Sequence, residues 1–296
     1  MIMDKDRCTA ERALRDGAKR LADFTSPLLD ARLLLMHATG MSEADLIIAG
    51  PQPISAADFS TYNSLIERRL AHEPVAYIIG QRDFWKGVYK VSPDVLIPRP
   101  DSETLIELAL ELRPVSSENK MSILDLGTGS GCLLGALLQE YQSATGLGVD
   151  KSPKALAIAQ MNFDTLGLSA RANFLQSHWF EEVAGRFDII VTNPPYIPQI
   201  EYESLAPEIR EHEPLCALTS EDQGRADYLQ LLDGAFHHLA DGGLMLLEIG
   251  DGHGEWLAGA AKSRFPNADV TIKNDLSGAP RALAIDLGAG DGQRRC

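Results

Sequence analysis

Between residues 121 and 287, short apolar runs alternate with segments whose apolar residues recur at helical spacing. Apolar runs of this length between turn residues predict buried strands. They cover residues 122–126, 146–150, 172–176, 187–192, 244–249, 269–272 and 282–287. The helical spacing covers residues 132–140, 153–166, 225–239 and 255–263. Strands that alternate with helices build a mostly parallel, doubly wound sheet, so the sequence predicts an α/β fold of that kind.

The N-terminal region has a different pattern, with helical spacing throughout residues 5–72. Pro27 favours the first turn of one helix, and Gly40 favours its end. Ser42 can cap a short helix through residue 48, and residues 55–70 predict a longer amphipathic helix. We therefore expect a small helical bundle over residues 1–73, whose apolar residues form its own core.

Residues 74–97 predict a β-hairpin that links this bundle to the rest of the chain. Its two strands are expected at 75–79 and 88–91, which are rich in β-branched and aromatic side chains. After the hairpin, Asp101 and Ser102 can cap a helix that begins beside them. We assign residues 98–296 to a second domain that holds the sheet, and we expect residues 288–296 to form a loose tail.

The formal net charge is −15, and the excess of acidic side chains lies in residues 101–296, because the first hundred residues hold equal numbers of both signs. An acidic domain disfavours a nucleic acid substrate, since nucleic-acid-binding domains usually carry a basic surface. No apolar run approaches the roughly 20 residues of a membrane-spanning helix, and the N-terminus is too polar for a signal peptide. The four cysteines lack zinc-site spacing, so we expect no metal and a reducing cytoplasm.

A glycine-rich loop follows the first predicted strand of the sheet. Residues 127–131 read GTGSG, and glycines allow a tight turn and a close approach of the backbone to a ligand. The next strand ends at Asp150, whose carboxylate can accept hydrogen bonds from two ribose hydroxyls. It can also cap the helix that begins at Pro153, and the two roles are compatible. The loop and the acid together predict an adenosine-binding site, but they do not distinguish S-adenosylmethionine from NAD.

The tetrapeptide Asn193-Pro194-Pro195-Tyr196 follows the fourth predicted strand. Proline cannot continue a β-ladder, so the strand must end there and leave Asn193 at its carboxyl end. The Asn193 side-chain oxygen and the Pro194 carbonyl can each accept one N–H of a planar amino group, on whose face Tyr196 can stack. An amino-methyltransferase needs such a clamp and a dehydrogenase does not, so the tetrapeptide favours methyl transfer.

The chain is similar over nearly its whole length to the bacterial release factor glutamine methyltransferases, also called PrmC or HemK. The matching stretches are PVAYIIGQRDFW (74–85), LIPRPDSE (96–103), ILDLGTGSGC (123–132), GVDKSPKALAIAQMN (148–162), QSHWF (176–180), VTNPPYIP (191–198), EPLCAL (213–218) and GGLMLLEIG (242–250). The resemblance implies a Rossmann-like sheet of the class I S-adenosylmethionine-dependent methyltransferases. It also implies methyl transfer to the N5 amide nitrogen of the glutamine in the GGQ tripeptide of class I peptide-chain release factors, with S-adenosylhomocysteine as product.

The resemblance further implies a role for each matching residue. The cofactor would be held by the loop, by an acid at the ribose, by an aromatic ring near the adenine and by the clamp, that is by Gly127, Thr128, Gly129, Ser130, Gly131, Asp150, Trp179 and Asn193. The glutamine would be bound by Asn193, Pro194, Pro195 and Tyr196, of which Asn193, Pro194 and Tyr196 would be catalytic. Arg99 is a candidate anion partner near the methionine end, and the helical domain would help to grip the release factor.

The chain departs from the family pattern at a few positions. His178 stands where the family commonly has an acid that can accept from the adenine amino group, and a neutral histidine can accept there through one ring nitrogen. Ser102 replaces a usual threonine. The segment 219–228 lacks the usual glycine pair, and we expect methyl transfer not to depend on it. The four histidines of the second domain without an acidic neighbour at a recognisable spacing are interpreted as surface or loop residues; they are His212, His237, His238 and His253.

Three other functions are open to a chain with this sequence. A glutamine methyltransferase of a ribosomal protein would usually have PRSP in place of the PRPD at residues 98–101. An exocyclic-amine methyltransferase of DNA or RNA uses the same clamp on a flipped base, but the acidic second domain disfavours it. A cofactor-binding protein without activity is the non-enzymatic alternative, and the intact tetrapeptide at 193–196 argues against it.

Overall fold

The structure, a computed structural model, describes residues 8–116 and 120–288. The chain divides into two compact units, of which one is Met1–Gly80 with Ala206–His212 and the other is Gln81–Leu205 with Glu213–Cys296. The tail predicted from the sequence lies, from residue 289 onward, outside the described residues. Within the described ranges, every helix is too short or too polar to cross a lipid bilayer.

The N-terminal unit is built from helices. They are α1 (Ala10–Arg20), α2 (Pro27–Thr39), α3 (Glu43–Ala49), α4 (Ala56–Leu70) and α5 (Val75–Ile79). The starts and ends predicted for α2, α3 and α4 are confirmed. Gly40 ends α2 with a φ of 69°, Ser42 forms a capping box with Asp45, and the Ser55 hydroxyl accepts from the Asp58 amide. The capping chemistry of the sequence therefore fixes these three helices.

The segment 75–79, which we expect to be a strand, is the helix α5, so this prediction is wrong. Gly80 ends the helix with a φ of 77°, a conformation that glycine adopts readily. Ile78 is buried in the core of the helical unit, and this packing overrides the β-propensity of the segment. The hairpin is formed by the residues that follow, where β1 (Gln81–Phe84) pairs antiparallel with β2 (Gly87–Lys90).

The remaining elements follow in chain order. They are α6 (Glu103–Leu112), β3 (Ser122–Leu126), α7 (Cys132–Glu140), β4 (Thr145–Asp150), α8 (Pro153–Leu166), β5 (Ala172–Gln176), β6 (Phe187–Thr192), β7 (Ile197–Pro198), α9 (Pro207–Arg210), β8 (Thr219–Ser220), α10 (Glu221–Gly224), α11 (Ala226–His238), β9 (Leu239–Glu248), α12 (Gly254–Arg264), β10 (Asp269–Asn274) and β11 (Pro280–Asp286). In the part of the chain that the structure describes, seven strands form one sheet in the order β10-β11-β9-β6-β3-β4-β5.

The sheet is mostly parallel, as predicted. Strands β5, β4, β3, β6 and β9 run in one direction, while β11 pairs antiparallel with both β9 and β10. Along β6, Ile189 and Val191 belong to the core that contains residues of α6, α7 and α8, whereas Ile190 belongs to the core that contains residues of α11 and α12. Because strand side chains alternate between faces, helices cover both sides of the sheet. The doubly wound α/β fold is therefore confirmed.

In the helical unit, α9 is part of a segment from much later in the chain. The Arg69 guanidinium is buried there between two carboxylates, with its Nε 2.8 Å from Asp30 Oδ2 and its Nη1 2.6 Å from Glu208 Oε2. A buried cation requires such partners, since leaving it unpaired costs roughly 3–5 kcal/mol. Glu208 of α9 thus anchors residues 206–212 within the unit.

Candidate active site

A cavity lies at the carboxyl ends of β3, β4 and β6, where a doubly wound sheet binds its ligands. The predicted site residues in its wall are Gly127, Thr128, Gly129, Ser130, Asp150, Trp179, Asn193 and Pro195, together with Arg99, Ser102 and His178. Three predicted site residues lie outside this lining, namely Gly131, Pro194 and Tyr196. The structure therefore brings the loop, the acid, the indole and the amide of the tetrapeptide to one cavity.

The glycine-rich loop turns sharply at the end of β3. Its backbone is held by hydrogen bonds from the Gly127 and Thr128 amides to the Val149 carbonyl, at 2.8 and 2.9 Å. Gly127, Gly129 and Gly131 all have positive φ. A β-carbon at Gly131 would lie 2.9 Å from a ring carbon of Phe163, so this glycine allows α7 and α8 to pack closely and does not face the ligand.

Asp150 at the end of β4 accepts two backbone hydrogen bonds. The Gly129 amide donates to Oδ2 at 3.0 Å and the Ser152 amide donates to Oδ1 at 2.9 Å. The additional role of Asp150 as the cap of α8 is wrong, because the Ser152 hydroxyl caps that helix. Burial raises the pKa of the Asp150 carboxyl, and the two backbone N–H groups oppose this shift. A carboxylate has about four acceptor positions, so two remain for the hydroxyls of a sugar.

Trp179 forms one wall of the cavity, and its backbone has an unusual conformation with a φ of 48°. The indole Nε1 donates to Asp227 Oδ1 at 2.9 Å, which fixes the orientation of the ring. A β-carbon at Gly127 would lie 3.2 Å from the indole, so the ring rests directly on the glycine-rich loop. Positive φ at a bulky residue is costly and occurs most often at functional sites, in agreement with a binding role for this ring.

Asn193 follows β6 and is half-buried in the cavity wall. Its Nδ2 donates to the Ser102 hydroxyl at 3.3 Å, and that hydroxyl donates to Glu248 Oε2. The role predicted for Ser102 as a helix cap is wrong, because its hydroxyl bonds Glu248 and makes no capping bond to α6. The carboxylate of Glu248, at the end of the neighbouring strand β9, is a strong acceptor and accepts the hydrogen bond of this hydroxyl.

Sequence reasoning gave no role to Glu248, whose carboxylate is the partner of Ser102. It ends β9 and is 1% exposed, and burial raises the pKa of its carboxyl. Tyr196 donates its hydroxyl to Glu248 Oε1 at 3.2 Å, so two hydroxyls bond the two carboxylate oxygens. The signal that could have found it is an acid directly after the apolar run 244–247, at the carboxyl end of a strand. The stacking of Tyr196 on a substrate amide stays a prediction.

The segment 219–224 contacts the tetrapeptide directly. Its strand β8 pairs with β7, which begins one residue after Tyr196, and a β-carbon at Gly224 would lie 2.0 Å from the Tyr196 carbonyl oxygen. Asp222 and Gln223 have positive φ without being glycine. The segment without the family's glycine pair therefore supports the clamp, while the prediction that methyl transfer does not depend on that pair stays a prediction.

Replacing Gly224 by alanine is expected to lower the free energy of unfolding by more than about 2 kcal/mol. The left-handed backbone conformation at this position costs a residue with a β-carbon roughly 1–2 kcal/mol of stability, and the steric clash with the Tyr196 carbonyl adds to this cost. Gly259, an exposed position of α12 with open space around it, provides the control. Alanine there is expected to stabilise by up to about 1 kcal/mol. Urea denaturation measures both, and equal effects of the two substitutions would contradict the contact.

Arg99 lies in the cavity wall but is paired with an acid. Its Nη2 is 2.5 Å from Glu213 Oε1, and the other oxygen of Glu213 accepts from the Ile97 amide at 3.3 Å. A guanidinium has five N–H donors, so this pairing leaves donors for an additional anion. The role of Arg99 as an anion partner stays a prediction.

The histidines interpreted as surface or loop residues include one that is buried, although it lies in the loop before α12. His253 is 8% exposed, and its ring packs near Tyr228 and Trp256. Burial and the nearby charge of Arg225 lower the pKa of its imidazole, so it is a buried packing residue. Among the residues that the structure describes, no group of three or more His, Cys, Asp or Glu side chains is arranged as a metal site.

Comparisons with known proteins agree with this geometry. Residues 12–80 match a family model described as the PrmC N-terminal domain, and residues 106–210 match the methyltransferase small domain. A crystal structure of a methyltransferase from Pyrococcus furiosus is 18% identical and covers 77% of this chain and 99% of its own, with a TM-score of 0.50, which shows the fold.

Two relatives are similar over most of their length. The release factor glutamine methyltransferase of Bradyrhizobium diazoefficiens is 40% identical over 277 residues, which are 93% of this chain and 93% of that protein. The protein of the same name from Cereibacter sphaeroides is 39% identical over 279 residues, 94% of this chain and 98% of its own. The chain therefore belongs to the release factor glutamine methyltransferase family.

Proposed function

We propose that this chain transfers the methyl group of S-adenosylmethionine to the N5 side-chain nitrogen of the GGQ glutamine in class I release factors, and releases S-adenosylhomocysteine. The observation that carries the proposal is the position of the Asn193 amide, which shares one cavity wall with the glycine-rich loop and Asp150. An amide acceptor beside a nucleoside site suits an enzyme that methylates an NH2 group. The reaction belongs to the cytoplasm, where release factors act, and requires no metal.

The cavity fits S-adenosylmethionine at three points. Gly127 has no β-carbon where Trp179 covers the loop, Asp150 has acceptor positions left, and the indole ring is fixed by Asp227. We assign the ribose hydroxyls to Asp150, the adenine to the neighbourhood of Trp179, and the methionine portion to the loop and Arg99. When bound, the cofactor supplies a methyl group on a positively charged sulfur.

The protein's own contribution is to orient the glutamine amide. Its two N–H groups would donate to Asn193 Oδ1 and to the Pro194 carbonyl, which turns the nitrogen lone pair towards the methyl group. An amide nitrogen is a poor nucleophile because its lone pair is delocalised. Alignment of this nitrogen with the methyl group is therefore decisive, and such alignment can lower the activation barrier by up to roughly 7–11 kcal/mol. The nitrogen becomes acidic once the methyl group arrives, and its proton can then leave without a catalytic base.

The two units of the chain would have different roles in the reaction. We assign binding of the release factor to the helical unit, residues 1–80 and 206–212, and methyl transfer to the unit that holds the sheet, residues 81–205 and 213–296. The match of residues 12–80 to the PrmC N-terminal domain supports the assignment of the helical part.

The test is transfer of labelled methyl from S-adenosylmethionine to a purified class I release factor and to its GGQ glutamine→alanine variant. We expect label on the first protein and none on the second. Label on both would place the target atom elsewhere. Label on neither, with cofactor binding intact, would contradict the proposal and direct the search to ribosomal proteins.

His178 is expected to contribute to adenine binding. Its Nδ1 lies 3.3 Å from Glu181 Oε1, and donation there leaves Nε2 as an acceptor for the adenine amino group. His178→Leu should weaken S-adenosylmethionine binding roughly 2- to 10-fold, the value of one neutral hydrogen bond, while His178→Asp should keep the parent affinity. Calorimetry measures the affinities, with the exposed His237→Leu as control. Equal affinities of all four proteins would exclude this role.

A further inference from the structure

A chain of hydrogen bonds runs from the cavity wall into the protein behind Asn193. The Asn193 amide bonds the Ser102 hydroxyl, and Ser102 and Tyr196 both bond Glu248. Ser102 and Glu248 are 3% and 1% exposed. Asn193 is thus connected to a carboxylate that water does not reach.

The direction of each hydrogen bond follows from the chemistry of the groups. A carboxylate can only accept, so both hydroxyls that contact Glu248 must donate to it. Ser102 has one hydroxyl hydrogen, and after giving it to Glu248 its oxygen can only accept from Asn193. The NH2 end of the Asn193 amide must therefore face Ser102, and the oxygen Oδ1 must face the other way.

Several groups around Glu248 favour its ionised form. Burial and the charge of Asp101 raise the pKa of its carboxyl, while the hydroxyls of Ser102 and Tyr196 and the charge of Arg281 counteract part of this rise. The Arg281 side chain is 13% exposed and lies between three acids, Asp101, Asp251 and Asp275. A protonated Glu248 would be able to donate to Ser102, which would then donate to Asn193 and reverse both hydrogen bonds. The orientation of the Asn193 amide therefore depends on the ionised form of Glu248.

We propose that Glu248 and Ser102 are positioning residues that hold Asn193 with its oxygen towards the substrate, and that they thereby make the site selective for glutamine over glutamate. This inference rests on the proposed function. An acceptor at Oδ1 attracts the N–H groups of glutamine and repels a carboxylate. A reversed Asn193 would offer its NH2 group, which attracts the carboxylate of glutamate and leaves the glutamine nitrogen without its partner.

The experiment compares the unsubstituted protein with Ser102→Ala and Ser102→Thr. Alanine removes the acceptor that orients Asn193 together with one of the two hydroxyl donors to Glu248, whereas threonine keeps the hydroxyl. The substrate is a class I release factor, and its GGQ glutamine→glutamate variant serves as a competing ligand. The measured quantities are kcat, KM, the inhibition constant of the glutamate form and the affinity for S-adenosylmethionine.

For Ser102→Ala we expect kcat to fall about tenfold, the value of one hydrogen bond, with the cofactor affinity unchanged. The ratio between the inhibition constant of the glutamate form and KM for the glutamine form should also fall about tenfold. Without Ser102 as its partner, the Asn193 side-chain amide can turn and present its NH2 group to the substrate. Ser102→Thr should restore both values. A merely structural role of Ser102 would lower stability without changing this ratio.

Two results would overturn the proposal. One is a Ser102→Ala protein with unchanged kcat, and the other is a lower kcat with an unchanged preference for glutamine over glutamate. Both results presuppose that the unsubstituted protein methylates the release factor. If it does not, the proposed function has failed first, so the two failures are distinguishable.

Discussion

Asn193→Ala is expected to reduce kcat for methylation of a release factor by roughly 10²–10³-fold, the loss typical of removing one directed polar group from a reacting centre. The alanine variant cannot accept the substrate N–H, so the lone pair of the amide nitrogen is no longer directed at the methyl group. Single-turnover rates at saturating cofactor and release factor measure the effect. The affinity for S-adenosylmethionine should stay close to that of the parent protein.

The matched control for this variant is Asn173→Ala. Asn173 is an exposed asparagine of the edge strand β5, so its replacement removes the same atoms far from the clamp. It should leave the rate unchanged. An Asn193→Ala protein as fast as this control would refute the clamp.

Asp150→Ala is expected to weaken binding of S-adenosylmethionine by roughly 10²–10⁴-fold. Two hydrogen bonds from ribose hydroxyls to a carboxylate are worth about 1.5–3 kcal/mol each, and the variant also leaves the amides of Gly129 and Ser152 without their acceptor. Titration calorimetry with S-adenosylmethionine and S-adenosylhomocysteine should show the same loss for both ligands, since both carry the ribose.

Asp241→Ala provides the comparison for the Asp150 variant. Asp241 is an exposed acid near the amino end of β9, whereas the cavity lies at the carboxyl ends of the strands. Its replacement therefore controls for the loss of a negative charge. It should bind S-adenosylmethionine like the parent protein. If both variants bind equally well, the ribose is not held by Asp150.

Several elements could be predicted closely because their signals are local. β3, β5 and β6 were predicted at the residues where they occur, since each is an apolar run between turn residues. Gly40 and Ser42 define helix boundaries through their own backbone and side-chain chemistry. The helix α5 could not be predicted in this way, because burial of Ile78 among other helices decides its conformation.

In the candidate site, too, residues with a local sequence signal could be predicted, and residues defined by long-range contacts could not. The loop 127–131, Asp150 and Asn193 were found because each follows directly on a predicted strand. Glu248 was not assigned a role, because its partner Ser102 is 146 positions away and only the fold brings them together. Contacts between distant segments also explain why Ser102 was expected to cap a helix, since its local sequence gives no indication of the carboxylate.

The pairing of Arg69 with Asp30 and Glu208 bears on the order in which the protein is made. The helical unit is discontinuous in the chain, because Ala206–His212 belongs to it although the rest ends at Gly80. During translation, Asp30 is available as a partner of Arg69 from the start, whereas Glu208 is added only after all of β3–β7 has been synthesised. This part of the helical unit is therefore completed only late in synthesis, and in a fragment ending at residue 80 Asp30 would be the one carboxylate left of the two that pair with Arg69.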